Sequence, residues 1–288
     1  MKQFIECMPC YLTQVISALK LTDIDEKKQC EIVKEVSKIY SDINPEKTPA
    51  ENSTLFLLEA YKHMGQPDPF KEAKKQSNRF ALAFFKDMEK RVLKSDDPLF
   101  TSIKLAVAGN IIDMGINPDY DLDNSIDRAL KEGFVRNDYD KFRKYLEKAD
   151  RVLILGDNSG EIVFDKLMVR QLKNYCPNIV YAVKGGPILN DATMEDALEV
   201  GMDKEAEVID TGTNYIGVVL DKCSDTFLRY FHSADLIIGK GQGNYESLEG
   251  TKEAGDRTFF MLRAKCHQVA RHLGVELMDA VFCQNTVE

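Results

Sequence analysis

The sequence lacks several features that would place it in a specialised class of protein. No stretch reaches the roughly 18 consecutive apolar residues of a membrane-spanning helix. Gln3 and Glu6 interrupt the apolar residues at the N-terminus, so no hydrophobic region of a signal peptide is present. Glycine and proline are modest, at 17 and 9 residues, and no low-complexity tract occurs, which argues against fibrous and disordered classes. We therefore expect a globular, cytoplasmic protein.

The numbers of cysteines and of positive charges also argue against a disulfide-rich protein and against a protein that binds polyanions. The seven cysteines are an odd number spread from Cys7 to Cys283, which favours reduced thiols over a disulfide framework. Lys and Arg together number 38 against 47 Asp and Glu, which gives a formal charge of -9. This balance argues against nucleic acid or an anionic membrane as a partner. No obligate protein partner is evident either.

The pattern of apolar residues divides the chain near position 148. Before it, apolar residues recur at three- and four-residue spacing, as at Ile32, Val36 and Ile39, which predicts amphipathic helices. After it, short apolar blocks alternate with helix-length segments, as expected for parallel strands covered on both faces. We predict a helical part, 1–148, packed on an α/β part, 149–288, with a mostly parallel sheet. The six predicted strands are 151–155, 179–183, 206–210, 235–239, 258–262 and 279–283.

Polar residues and glycines collect after these strands, where open parallel sheets bind their ligands. Asp157 and Asn158 follow the first strand, and Asp191 lies in the segment after the second. Their side chains offer the oxygen ligands that Mg²⁺ and Mn²⁺ prefer. Lys184 and Lys240 stand among glycines after the second and fourth strands, a setting that suits phosphate. Together these residues predict a metal-dependent phosphoryl-transfer site.

Each segment also has a plain structural interpretation. Residues 157–160, Asp-Asn-Ser-Gly, form a good turn sequence, and residues 239–243 could be a flexible glycine loop. Neither matches the spaced glycines of a dinucleotide fold or the lysine ending of a P-loop. Their common location at strand ends favours the functional interpretation.

Six motifs in a fixed order carry a resemblance to a known family. They are CMPC at 7–10, AGNIID at 108–113, GDNSGE at 156–161, KGGPILNDAT at 184–193, GKGQGNYE at 239–246 and AKC at 264–266. In this set the chain resembles the metal-dependent damage-control phosphatases, formerly domain of unknown function eighty-nine. Because it carries the pair Cys7 and Cys10, the chain resembles the compact, stand-alone microbial and archaeal branch of that family.

The resemblance implies an N-terminal all-helical domain packed on a C-terminal Rossmann-like three-layer α/β/α domain, with the active site between them. It implies that Asp157, Asn158 and Asp191 hold Mn²⁺, Co²⁺, Ni²⁺ or Mg²⁺. It further implies hydrolysis of phosphate monoesters of small metabolites such as sugar phosphates. Asp157 and Lys240 are the catalytic candidates, with Lys240 contacting phosphate.

The other candidates are proposed to bind the substrate. Asn110 and Asp113 match the family's segment from the helical domain, and would close the cleft. The remaining candidates lie around the second and fourth strand ends; they are Lys184, Gly241, Gly243 and Asn244.

Several alternatives stay open at this level. The attacking group is metal-activated water or the carboxylate of Asp157. Cys7 and Cys10 bind a soft metal, act in redox chemistry or simply pack. A non-catalytic module that binds a phosphometabolite or a metal is the alternative function. A nucleotide-dependent transferase is less favoured, because residues 184–186, Lys-Gly-Gly, stand where an acidic residue would bind ribose.

Overall fold

Helices account for most of the first half of the chain. The computed structural model describes residues 1–109, 126–127 and 130–287. Asn110 and Asp113, predicted from the sequence to bind substrate, lie outside the described residues. The helices of this half are α1 (Cys7–Leu19), α2 (Glu26–Val36), α3 (Pro49–Met64), α4 (Lys71–Lys94), α5 (Pro98–Ala108) and α6 (Tyr139–Leu146).

Local signals in the sequence explain where several of these helices begin. Asp25 caps α2 by accepting a hydrogen bond from the amide of Lys28. Thr48 and Glu51 form a capping box at the start of α3, in which each side chain bonds the backbone of the other. Asp97 caps α5 and precedes a proline, whose missing N–H is not needed in a first turn.

Seven strands form one sheet in the order β1-β7-β6-β5-β2-β3-β4. All neighbouring strands are parallel except β6 and β7. The predicted α/β class and mostly parallel sheet are confirmed, and the sequence pattern missed only the two-residue β1 among the described strands. The strands are β1 (Arg136–Asn137), β2 (Arg151–Leu155), β3 (Asn178–Val183), β4 (Glu207–Asp210), β5 (Leu236–Lys240), β6 (Thr258–Arg263) and β7 (Ala280–Gln284).

Helices cover both faces of this sheet, as its continuous apolar strands predict. On one face, Val152 and Ile154 of β2 share a core with α4, α5 and α7. On the other face, Leu153 and Leu155 share a core with α9, α10 and α11. The helices of the second half are α7 (Glu161–Leu172), α8 (Met194–Val200), α9 (Asp225–Ser233), α10 (Gly241–Leu248) and α11 (His267–Leu273).

The first three helices build a separate core of their own. Tyr11, Ile32 and Phe56 are central to it, and Ile188 joins them from the segment after β3. Helices α4 and α5 pack instead with the sheet. The division of the chain at position 148 stays a prediction, since the packing groups these two helices with the strands that follow.

The chain reverses its winding between β2 and β5, which are neighbours in the sheet. Helix α7 leaves β2 toward one face, and α10 leaves β5 toward the other. Such a switch point opens a crevice at the carboxyl ends of the strands. None of the helices within the described ranges combines the length and apolarity needed to span a bilayer.

Candidate active site

The loops after β2 and β3 are joined by backbone hydrogen bonds directly above the sheet. Ala192 N donates to the carbonyl of Asp157 at 2.8 Å, and Ser159 N donates to the carbonyl of Asn190 at 2.9 Å. Asn158 and Asp191 form an isolated antiparallel bridge. We call this paired segment the ligand clip. It places Asp157, Asn158 and Asp191 at one end of one cavity, as their positions at strand ends predict.

Helix α4 supports the clip from the helical half of the chain. The side chain of Asn78, which is fully buried, accepts a hydrogen bond from Gly160 N at 2.7 Å. Its amide nitrogen donates to Asp196 at 3.1 Å. No pattern in the sequence marks Asn78, because a polar residue in a helix pattern is normally assigned to the solvent face.

The amide of Asn158 has a fixed orientation. Its Nδ2 donates to Glu161 Oε1 at 2.9 Å and to Asp157 Oδ2 at 3.1 Å, which uses both amide hydrogens. The amide oxygen is therefore the atom of this side chain that remains for a cation. Glu161 was part of the GDNSGE motif, but its sequence position did not reveal this orienting contact.

Asp157 sits against a glycine that leaves space for its carboxylate. Gly241 has φ +74°, and a Cβ atom built there would lie 1.9 Å from Asp157 Oδ2. Any larger residue at 241 would displace the carboxylate. The predicted contribution of Gly241 thus rests on its missing side chain, while Gly243 lines the cavity beside it.

The pKa values of the two clip carboxyl groups, Asp157 and Asp191, are higher than those of isolated aspartates. Burial raises the pKa of Asp157 well above its ordinary value, and the negative charges of Glu161 and Asp191 raise it further. Burial also raises the pKa of Asp191, although Lys184 opposes this effect. Asp191 Oδ2 is buried and accepts no hydrogen bond from the described residues, while Lys184 Nζ lies 3.5 Å away. A bound cation would offset the repulsion among these carboxylates and would give Asp191 Oδ2 a ligand contact.

These donors fit a hard divalent cation. Two carboxylates and one amide oxygen make an all-oxygen set of the kind that Mg²⁺ and Mn²⁺ accept. In the part of the chain that the structure describes, no three His, Cys, Asp or Glu side chains converge on one point. The clip alone would supply three oxygen ligands, which leaves positions for water and substrate.

Lys240 lies below the clip, where it is 1% exposed. Its ammonium donates to Asp165 Oδ1 at 2.7 Å, to the carbonyl of Ala106 at 2.9 Å and to Glu161 Oε2 at 3.3 Å. These contacts use all three of its hydrogens. The predicted contact with phosphate stays a prediction, and this placement does not favour it.

Two more of the predicted substrate-binding residues are engaged with protein atoms. Lys184, 3% exposed, donates to the carbonyl of Gly217 at 2.5 Å. Asn244 is also buried, and its amide donates to the carbonyls of Lys240 at 2.7 Å and Gly156 at 3.2 Å. Asn244 therefore ties the β5 turn to the β2 turn.

Lys265 is an exposed cation in the lining of the cavity. It follows β6, lines the cavity, and its positive charge lowers the pKa of Asp157. The signal was present in the sequence, because Lys265 follows a predicted strand and stands within the AKC motif. Arg263 lines the same cavity.

The cavity has a volume of about 720 Å³, far more than a phosphate group requires. Its other wall comes from α1, from the start of α3, and from the start of α11. Cys7, Cys10 and Cys266 all line it. Burial raises the pKa of Cys7 and of Cys10, so both remain protonated thiols near neutral pH. For Cys7, which packs in the α1–α3 core, this favours the packing interpretation.

A second groove, of about 820 Å³, lies at the opposite end of the strands. Arg151, Lys173, Arg229 and Glu205 line it. Its charges are largely paired or exposed, as where Lys173 Nζ lies 3.9 Å from Glu205 Oε2. The chemistry expected at the carboxyl ends of parallel strands therefore belongs to the first cavity.

Comparisons with known proteins agree with the family resemblance that the motif set carries. Residues 4–281 match the family model described as the damage-control phosphatase ARMT1-like domain. The chain is 38% identical to damage-control phosphatase PH1575 of Pyrococcus horikoshii, over 96% of this chain and 95% of that protein. It is 33% identical to a damage-control phosphatase of Archaeoglobus fulgidus, over 96% of each chain. The crystal structure of the Pyrococcus protein superposes with a TM-score of 0.91 at 34% identity, covering 99% of this chain and 100% of that one.

Proposed function

The chain belongs to the damage-control phosphatase ARMT1-like family, and from that premise we propose that it hydrolyses phosphate monoesters of small metabolites with a divalent cation. The observation that carries the proposal is the ligand clip. It holds two carboxylates and an oriented amide at the switch point of the sheet, facing a cavity large enough for a metabolite. A cytoplasmic location, predicted from the sequence, stays a prediction.

The residues that would hold the cation are Asp157, Asn158 and Asp191. Mn²⁺, Co²⁺, Ni²⁺ and Mg²⁺ are the candidate ions. When bound, such an ion polarises the phosphoryl group and neutralises its charge. Asp157 and Asp191 would hold the cation as ionised carboxylates, and because burial raises the pKa of both, cation binding would compete with protonation.

We assign the substrate phosphate to the cavity side of the clip. Lys265 is exposed there and contributes positive charge, while Gly243 leaves room for the Ile216–Gly217 segment to pack against the start of α10. Asn110 and Asp113 remain proposed contacts from the helical half. Lys184 and Lys240 act indirectly, because both lie buried against the loops that carry the ligands.

The decisive experiment measures hydrolysis of para-nitrophenyl phosphate with and without each of the four cations. We expect activity only with a cation present. Asp157→Asn and Asp191→Asn should each lower kcat/KM by at least about 100-fold, since each removes charge from the ligand set. Full activity without metal, or in Asp157→Asn, contradicts the proposal.

Asp203→Asn is the matched control. Asp203 is an exposed carboxylate in the groove at the opposite end of the strands, so we expect unchanged kinetics. If no phosphate ester is hydrolysed with any cation while ligands still raise the Tm, the chain is the non-catalytic binding module instead.

A further inference from the structure

Two buried polar side chains line the cavity away from the ligand clip. Glu246 on α10 and Gln268 on α11 are each 7% exposed, and both face the cavity. Neither belongs to the set that would bind the cation or phosphate. Polar groups buried to this extent in a cavity wall normally have hydrogen-bond partners.

Helix α10 connects the clip to Glu246. Its first residue, Gly241, packs against Asp157, and Glu246 follows five residues later on the same helix. With a rise of 1.5 Å per residue, Glu246 lies about 8 Å further along the helix axis. Besides the clip, the cavity therefore has a second polar region, to which Glu246 and Gln268 contribute.

The carboxyl group of Glu246 is held in place from one side only. Gln242 Nε2 donates to Glu246 Oε1 at 2.7 Å, and Gln242 Oε1 accepts from the amide of Lys265 at 3.2 Å. Among the described residues, no side chain or backbone group donates to the second carboxyl oxygen of Glu246.

Gln268 supplies a second acceptor. Its Oε1 is buried and accepts no hydrogen bond from the described part of the chain. Leaving a buried acceptor without a donor is costly, so a donor group that enters the cavity would be favoured here. The neighbouring wall consists of Cys7, Cys10 and Tyr11 of α1.

We infer that Glu246 and Gln268 form a subsite for an ammonium group, so that the preferred substrates are phosphate monoesters carrying a primary amine at the far end. This inference rests on the proposed phosphatase function and specifies its substrate class. An ammonium has three donors, enough for both free acceptors, whereas a hydroxyl has one. A charge-assisted hydrogen bond to a carboxylate is also stronger than a neutral one.

An ammonium at this position would stabilise the charged form of Glu246, which burial disfavours. Burial raises its pKa to about 7, opposed by the bond from Gln242 and by the N-terminal ammonium. A bound ammonium would favour the ionised carboxylate and offset its burial. A second phosphate or a carboxylate at this end would instead be repelled.

The test compares three esters that differ in one terminal group: 5-aminopentyl phosphate, 5-hydroxypentyl phosphate and pentyl phosphate. We expect kcat/KM to be about tenfold higher for the amino ester than for the pentyl ester, with the hydroxy ester between them. In Glu246→Gln the ratio of amino to pentyl ester should fall to near one. In Gln268→Met, which removes the amide but keeps the length of the side chain, it should fall part of the way.

Glu253→Gln is the control, because Glu253 is exposed and does not line the cavity. It should keep the wild-type ratio. A wild-type ratio near one, or an unchanged ratio in Glu246→Gln, overturns the subsite. If Glu246→Gln does not fold, Gln268→Met decides.

Hydrolysis of para-nitrophenyl phosphate separates failure of the subsite from failure of the phosphatase function. Activity on that ester without preference among the three test esters refutes the subsite alone. If no ester is hydrolysed, calorimetric Kd values for the three esters with Mn²⁺ still test the subsite. Tighter binding of the amino ester, reduced in Gln268→Met, supports it, and equal Kd values refute it.

Discussion

Lys240 Nζ lies 2.7 Å from Asp165 Oδ1, and both side chains are almost completely buried. Burial alone would lower the pKa of Lys240, but Asp165 and Glu161 outweigh it and raise that pKa. Tyr181 also donates to Asp165, at 2.6 Å. The ammonium therefore stays charged and anchors the carboxylate that orients Asn158.

Replacing Lys240 by methionine should destabilise the protein by about 3–5 kcal/mol, because Asp165 and Glu161 would be left buried without their cation. Urea unfolding measures the change. Asp165→Asn in the same chain should restore part of the loss. A single variant as stable as wild type would contradict the buried network described here.

Gly241→Ala should weaken binding of Mn²⁺ and destabilise the fold by about 1–3 kcal/mol, since it adds a Cβ against Asp157 to the strain of a positive φ. Gly250→Ala is a matched control: its φ is also +74°, but no atom lies within 4 Å of the added carbon. It should show the backbone strain alone and leave metal affinity unchanged. Calorimetric titration and thermal unfolding of both variants separate the two effects.

Glu161→Gln should lower metal affinity by about 10–100-fold, the range seen when a partner of a ligand is altered. The variant keeps the shape of the side chain but removes the charge that holds the Asn158 amide. Isothermal titration with Mn²⁺ measures the affinity, with Glu195→Gln on the exposed surface of α8 as control. Equal affinities in all three proteins would show that Glu161 does not position this ligand.

Glu246 should make the stability of the metal-free protein depend on pH. Burial holds the pKa of Glu246 at about 7, above its ordinary value of 4.5. Between these values the unfolded chain has released the proton and the folded chain retains it, so stability falls as pH rises. Relative to Glu246→Gln, wild type should lose up to about 3 kcal/mol between pH 4.5 and 7, and little more above it. Urea unfolding at pH 5, 6, 7 and 8 checks this, and a constant difference would refute it.

The sequence was sufficient for most of the sheet and for the proximity of the three candidate ligands. Parallel strands buried on both faces have a strong apolar signature, and their carboxyl ends meet at one edge by geometry. Asp157, Asn158 and Asp191 therefore had to lie near one another once the strands were identified.

The sequence was not sufficient to predict side-chain positions that depend on tertiary packing. A lysine between glycines looks exposed, yet Lys240 points beneath the clip because Asp165, four residues after Glu161 on α7, is buried there. Asn78 and Glu246 become polar parts of the interior only when separate helices are packed together. Such side-chain directions follow from tertiary contacts, which local patterns do not contain.

The ligand clip joins residues on either side of a complete strand–helix–strand unit, from Asp157 to Ala192. Its ligands are therefore close together only after β2, α7 and β3 have assembled. An unfolded chain does not present this set, so a cation bound by the clip would stabilise the folded state and would not nucleate the fold. Withdrawal of metal by a chelator should thus speed global unfolding and leave the rate of refolding nearly unchanged, provided that the clip forms after the folding transition state.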